Sequence, residues 1–430
     1  MEAPLQGVRP SVDDRKVEGE EREETKQEPN EEPSESLWAR FMRWWRHEKS
    51  LLWQLSKKNL SLGVAYTALV PWMSAYWMSS SRSFRAMGRS LLTRALSTAA
   101  APSAALAWST ATSGTKPFFQ ALLAGTGMLV GTYMLSAAAN ALNQLIECEH
   151  DAQMRRTRER LLVPRDNGER PLSRTGALAR AAAYGVIGVA SEALVHVAFP
   201  NMYALWPLLL GVVNVGTYAA LYTWMKRHTR WNTEIGSITG AIPTSIGLAA
   251  ALADPSVRGV RVPGVVGGTT APQSCWCLAP WFLWLYAWQF SHFANIDWKR
   301  RHEYEHAGFH MHSLKSSSAV ARRAFFGSLA MLGIDVAMFV ADMRWAPEWL
   351  RMLACAPWAF WVAPIINSGI VTYRSYKFWQ KTDAERRRQP QIFSFATQGC
   401  SILPFPPAFW EFMPKKQASD GADMSPDAAV

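Results

Sequence analysis

"FQALLAGTGMLVGTYMLSAAANALN", residues 119–143, runs straight into "QLIECEHDAQMRRTRER", residues 144–160, so a long apolar stretch ends in carboxylates and guanidinium groups. A helix rising 1.5 Å per residue needs about 20 apolar residues to cross ~30 Å of hydrocarbon, and the first segment has that length. Charge is expensive to desolvate, so the acids and arginines that follow must sit at a membrane boundary. Blocks of the same kind recur along the chain. Nine spans are expected, at 60–79, 119–143, 177–198, 203–225, 235–253, 278–297, 324–342, 352–373 and 391–411. Continuous rather than alternating apolarity excludes a strand barrel. The expected fold is therefore all-α, a polytopic membrane protein with about nine transmembrane helices around a central cavity. The mean hydropathy of -0.08 does not argue for solubility, because polar ends lower it.

Sidedness follows from the connections. Those after the second, fourth, sixth and eighth spans hold 22 Lys and Arg, against 9 in those after the first, third, fifth and seventh. The positive-inside rule places the first set in the cytoplasm or the mitochondrial matrix. The N-terminus differs in kind: residues 1–36 hold 12 Asp and Glu against 5 Lys and Arg, with no aromatic residue, and read as a disordered acidic tail. Residues 37–59, with Trp38, Trp44, Trp45 and Trp53 among Arg and Lys, read as an interfacial amphipathic segment. Residues 60–411 would form the membrane domain and 412–430 a disordered C-terminal tail. The segment 82–116, rich in Arg, Ser and Ala, reads as an enlarged surface loop. Five cysteines form no disulfide framework in a chain of 430 residues, and Cys275 with Cys277 has no neighbouring His at metal-ligand spacing. No feature points to nucleic acid.

Asn143, Glu147 and Asp151 recur at i, i+4 and i+8, which places them along one stripe of a helix. Two carboxylates and an amide oxygen suit a hard divalent cation such as Mg²⁺, whose coordination substrate phosphates commonly complete. Arg155, Arg156, Arg158 and Arg160 then suit a diphosphate. A solvated loop on the basic side of a bilayer fits the same residues. A second exit, "WQFSHFANIDWKRRHEYEHAGFHM" at 288–311, brings Asp297, Lys299, Arg300, Arg301 and Glu303 to the same side, and Lys226 and Arg227 lie between the two. Gly236, Gly240, Ala241 and Gly247 give the fifth span a small-residue face for close helix packing.

Together these stretches resemble the heme O synthase (protoheme IX farnesyltransferase) family of UbiA-type intramembrane prenyltransferases. "AAANALNQLIECEHDAQMRRT" is similar to the family's N-x3-D/E-x3-D and M-x-R-T. "YT", "KR", "N", "GAIP" and "G" within 222–247 match its middle signature, and "WQFSHF" with "EYEHAGFHM" resembles W-Q-x-P-H-F and D-Y-x-x-x-G-x-x-M. The likeness runs from Leu55 to Pro404. Ser291 stands where the family usually has Pro, Glu303 where it has Asp and His306 where Arg is common; both Arg160 in "RLLV" and Arg170 in "RPLS" compete for one motif position.

The resemblance implies transfer of farnesyl from farnesyl diphosphate to a vinyl group of heme b, giving heme O. It implies Mg²⁺ on Asn143, Glu147 and Asp151, with Arg155, Lys226, Glu303 and Tyr304 joining them in catalysis. Arg158, Arg227, Arg301 and His292 would contact the substrates, His292 at the heme or in an interhelical hydrogen bond. It also implies heme A synthase as a partner and residence in the mitochondrial inner membrane. Two other classes stay open: a prenyltransferase acting on a quinone precursor, normally richer in aspartate motifs, and a transporter, which gives no reason for the N-x3-E-x3-D spacing.

Overall fold

The computed structural model describes residues 36–73, 104–258, 278–345 and 356–394. The acidic tail up to residue 35, the Cys275–Cys277 pair and the segment 412–430 lie outside them. Among the described residues all regular structure is helical. The helices are α1 (Leu37–Leu55), α2 (residues 58–73), α3 (Ala104–Ala152), α4 (Arg174–Ala198), α5 (Met202–His228) and α6 (Asn232–Ala253). They continue with α7 (Leu278–Lys299), α8 (Arg301–His306), α9 (Ser317–Trp345), α10 (Ala356–Gln380) and α11 (Asp383–Arg388).

Among the described residues, 4 helices are by length and composition sufficient to cross a membrane: Phe118–Ala152 within α3, then α4, α5 and α6. The other expected spans fall on α2, α7, α9 and α10, except the last: residues 391–394 are not helical, and the rest of 391–411 lies outside the described residues. The loop expected at 82–116 is corrected at its end, because α3 is already helical from Ala104. No β-branched run or glycine pair interrupts "AALAWSTAT", and the helix extends back through it.

The chain divides into two compact units, Met1–Lys49 and Ser50–Val430. In the first, α1 exposes Trp38, Phe41, Trp44 and Trp45, with Arg40, Arg43 and Arg46 also exposed. The second holds all the other helices. Its outward faces are apolar: Val186 of α4 is 69% exposed, and Leu209, Val213, Leu329 and Ile366 are exposed as well. That is the pattern of helices solvated by lipid.

The helix α6 is central, with 83% of its apolar window buried against 22% for α5. Its small residues allow this. A Cβ on Gly247 would sit 1.7 Å from the Ala68 carbonyl oxygen of α2, and one on Gly236 2.8 Å from the Tyr222 ring of α5. Between Trp206–Gly216 and Thr223–His228 of α5 lies a π-helical turn, Thr217–Tyr222. Such turns shift the register of everything that follows them. Here it precedes Lys226 by one turn.

Candidate functional site

The stripe on α3 is present and buried, with Asn143 at 0%, Glu147 at 3% and Asp151 at 1% exposure. Each meets a cation from a different part of the chain. The Lys226 ammonium, brought in by α5, lies 3.0 Å from Glu147 Oε1. The Arg160 guanidinium, from the loop after α3, donates to Asp151 Oδ2 at 2.5 Å. Lys57, in the turn between α1 and α2, donates to Asn143 Oδ1 at 2.6 Å, and the Asn143 amide donates to Thr223 Oγ1 at 3.0 Å. Burial, reinforced by the nearby Arg160 and Lys226 charges, pushes the Lys57 amine down to about 7. Asp151 Oδ1 is buried with no hydrogen-bond partner. A buried carboxylate oxygen without a partner is costly, and a cation would satisfy it.

Among the described residues no three His, Cys, Asp or Glu side chains gather as a metal site. Two carboxylates, one with an unpartnered oxygen, nevertheless fit Mg²⁺ when substrate phosphates and water supply the remaining ligands. Asn143 is placed on the stripe, but its oxygen is taken by Lys57.

Tyr304, on α8, approaches from the second exit. Its hydroxyl is raised by burial while the Lys226 and Arg156 charges oppose that shift, so the phenol lies between the two basic segments. Arg156 is lowered by burial and by Arg300 beside it. The connection after α8 is tied to α5, since the His310 amide donates to the Lys226 carbonyl at 2.9 Å and Asn232 donates to the His310 carbonyl at 2.8 Å. The two exits therefore face one another.

The other expected residues are placed differently. Arg155 and Arg158 are exposed, with no ion pair among the described residues. Arg227 donates to the Ile146 carbonyl at 2.6 Å and fastens the end of α3. Arg301 covers the Trp298 ring and donates to the Trp298 and Arg387 carbonyls, joining α7 to α11 away from the carboxylates. Glu303, half-buried, pairs with Arg300 at 3.4 Å, three residues away. Asp297 accepts from the Ser313 amide and hydroxyl, which makes it a fastening for the loop before α9.

His292 is not at the carboxylates, yet rings connect it to them. Lys226 lies 4.5 Å over Tyr222, Tyr222 meets Phe293 edge-on at 6.5 Å, Phe293 meets His292 at 6.1 Å, and His292 stacks on Trp288 at 4.4 Å. A small cleft lined by Thr233, Phe290, Phe293, Asp297, His312 and Arg323 opens beside this column.

Sequence reasoning missed Lys57 and Tyr218, and it quoted Tyr222 and Thr223 as the "YT" of the middle signature without assigning a contact to either. "LSKKN" puts two lysines at a membrane boundary, which was the available signal for Lys57. Tyr218, one turn before Tyr222, donates to Asn140 Oδ1 at 3.3 Å.

Residues 95–396 match the family model described as the UbiA prenyltransferase family. The chain is 28% identical over 299 residues to a mitochondrial protoheme IX farnesyltransferase of Homo sapiens, covering 69% of this chain and 56% of that protein. A protein of the same name from Neurospora crassa is 30% identical over 332 residues, covering 77% and 55%. One from Eremothecium gossypii is 31% identical over 266 residues, covering 61% and 51%. The chain thus spans about half the length of these curated relatives. A solved structure described as digeranylgeranylglyceryl phosphate synthase is similar at a TM-score of 0.49 and 12% identity, over 83% of this chain and 97% of that one, too loosely to add to the comparison.

Proposed function

Because the chain belongs to the UbiA prenyltransferase family, we propose that it transfers a farnesyl group from farnesyl diphosphate to a vinyl group of heme b, forming heme O. The observation that carries this reading is the joining of a buried Glu147–Asp151–Lys226–Arg160 cluster, by touching aromatic rings, to His292 in the membrane interior. One end suits a diphosphate and the other a flat apolar acceptor. The farnesyltransferase names of the relatives support the choice of substrates.

In this reading the C1–O bond of farnesyl diphosphate breaks and its electron pair leaves with diphosphate. Lys226 and Arg160 stabilise the leaving charge in a site shielded from water. Glu147 and Asp151 would hold Mg²⁺, which when bound would supply further charge neutralisation of the departing oxygens. The allylic cation is attacked by the vinyl π-electrons, forming the new carbon–carbon bond. The resulting cation on the porphyrin side takes a water, which loses a proton. Tyr222, Phe293 and Trp288 offer ring faces to the cation on its way. His292 serves the acceptor end, and Tyr304 closes the polar end.

The setting belongs to the same proposal: the mitochondrial inner membrane, with the basic connections in the matrix and α1 lying at the interface through its exposed tryptophans. The test is to extract hemes from membranes with and without the protein and weigh them. Heme O appearing only with the protein is expected. A different prenylated aromatic compound in its place would overturn the heme reading and keep prenyl transfer.

A further inference from the structure

We propose that Lys57 is a diphosphate-contacting residue of this site, aimed into it by a left-handed turn that the backbone maintains for that purpose. The proposal rests on the prenyl diphosphate reading above and extends it to a residue of the segment before α2.

Among the described residues Lys57 is the single non-glycine residue with positive φ, at 50°. That region is strained for a side chain carrying a Cβ and is ordinarily filled by Gly or Asn where a helix ends. The turn is not loose. The Gln144 amide donates to the Leu55 carbonyl at 2.7 Å, the Ser61 hydroxyl donates to the Ser56 carbonyl at 2.8 Å, and the Leu60 amide donates to the Lys57 carbonyl at 2.7 Å. Ser56 and Ser61 are fully buried. Glycine would meet every one of these backbone demands with less strain, so lysine must be present for its side chain. Strain of this kind persists where the surroundings over-determine it, and it clusters at functional sites.

The second observation is the charge pairing. Glu147 takes Lys226 and Asp151 takes Arg160, whereas Lys57 sits on the neutral amide oxygen of Asn143. Among the described residues it alone of the three cations has no carboxylate within ion-pair distance. Two pairs balance, and one amine remains whose charged form an incoming anion would favour. Turning to the diphosphate leaves the buried Asn143 oxygen without that donor, a cost the charge-assisted contact must offset, while the Asn143 NH2 keeps its bond to Thr223. Lys57 thus gives the diphosphate a donor from the turn before α2, in addition to Lys226 from α5.

The experiment uses the full chain in lipid nanodiscs, with inorganic diphosphate as the probe and Lys57→Met, Lys57→Gly, Lys57→Arg and Lys226→Met compared by titration calorimetry and thermal unfolding. Losing one charge-assisted contact should weaken diphosphate binding roughly 10- to 100-fold in Lys57→Met and Lys57→Gly. Lys57→Arg should retain most of it. Lys57→Gly should unfold at a higher temperature than Lys57→Met while binding equally poorly, a split that a purely structural lysine would not give. Native affinity in both Lys57→Met and Lys57→Gly, with Lys226→Met still weak, would overturn the role of Lys57 and leave the site reading standing. A native protein that binds no diphosphate would overturn both.

Discussion

Lys226 and Glu147 stand 79 residues apart in sequence and 3.0 Å apart in space, and the carboxylate side chain is only 4% exposed. Breaking such a pair from one side leaves a buried charge with nothing to balance it. We expect Lys226→Met to cost about 3–5 kcal/mol of stability. Adding Glu147→Gln should restore most of that stability without restoring heme O formation. Thermal unfolding and turnover measured on the same preparations check this. A double variant that regains turnover would make the pair structural only.

Asp151→Asn keeps size and removes charge from the carboxylate that has an unpartnered oxygen. Heme O formed per folded enzyme should fall ~10² to 10⁴-fold, and Glu147→Gln should act alike. The Glu147→Gln, Asp151→Asn double variant should lose less than the product of the two, since both residues serve one charge site. Turnover at several Mg²⁺ concentrations is the readout; near-native rates with an unchanged Mg²⁺ dependence would return these acids to an ordinary polar helix end.

The depressed Lys57 amine predicts a pH effect on stability. Between about 7 and its ordinary value of 10.5, the folded protein holds fewer protons there than the unfolded chain. Stability therefore rises with pH across that window, and no further change comes from this group below or above it. The rise should be absent in Lys57→Met. Unfolding temperatures from pH 6 to 10 without substrate decide it, and parallel curves for the two proteins would refute it.

Close approach of α6 to α2 depends on Gly247. A Cβ there meets the rigid Ala68 carbonyl at 1.7 Å, so Gly247→Ala should destabilise by about 1–3 kcal/mol. Gly240 differs, because its Cβ would meet the amide end of Gln289 at 2.1 Å, and that end can swing away. Gly240→Ala should cost less and should chiefly break the Gln289 bond to the Ser237 carbonyl. A comparison of unfolding temperatures orders the two.

The acidic stripe and the small-residue face of α6 were legible in the sequence because both are helical periodicities, and spacing alone places Asn143, Glu147 and Asp151 together. Lys226 and Arg160 were legible as basic residues on the same side, but not which carboxylate each one meets. Lys57 reaches the site through a backbone conformation that lysine rarely adopts, and no periodicity marks it. The π-helical turn in α5 breaks the period that would have placed Tyr218 beside Asn140. Arg301 and Asp297 stood out in the sequence because they share a charged helix exit with Tyr304; in the structure one donates to the Trp298 carbonyl and the other accepts from Ser313. Motif membership gives proximity in the chain; hydrogen-bond geometry decides which neighbour does what.

The cross-chain pairing of α3 also bears on how the protein is made. Glu147 enters the membrane boundary on α3, but its ammonium partner arrives only with α5, and the amide of Asn143 waits for Thr223 of the same helix. During synthesis there is thus an interval in which a carboxylate is already committed to a place where it has no counter-charge. A chain whose α5 enters in the wrong direction would carry Lys226 to the opposite side and leave that interval unclosed. The same two contacts that fix α3 against α5 in the finished protein thus make the placing of one helix depend on the orientation of another that is synthesised after it.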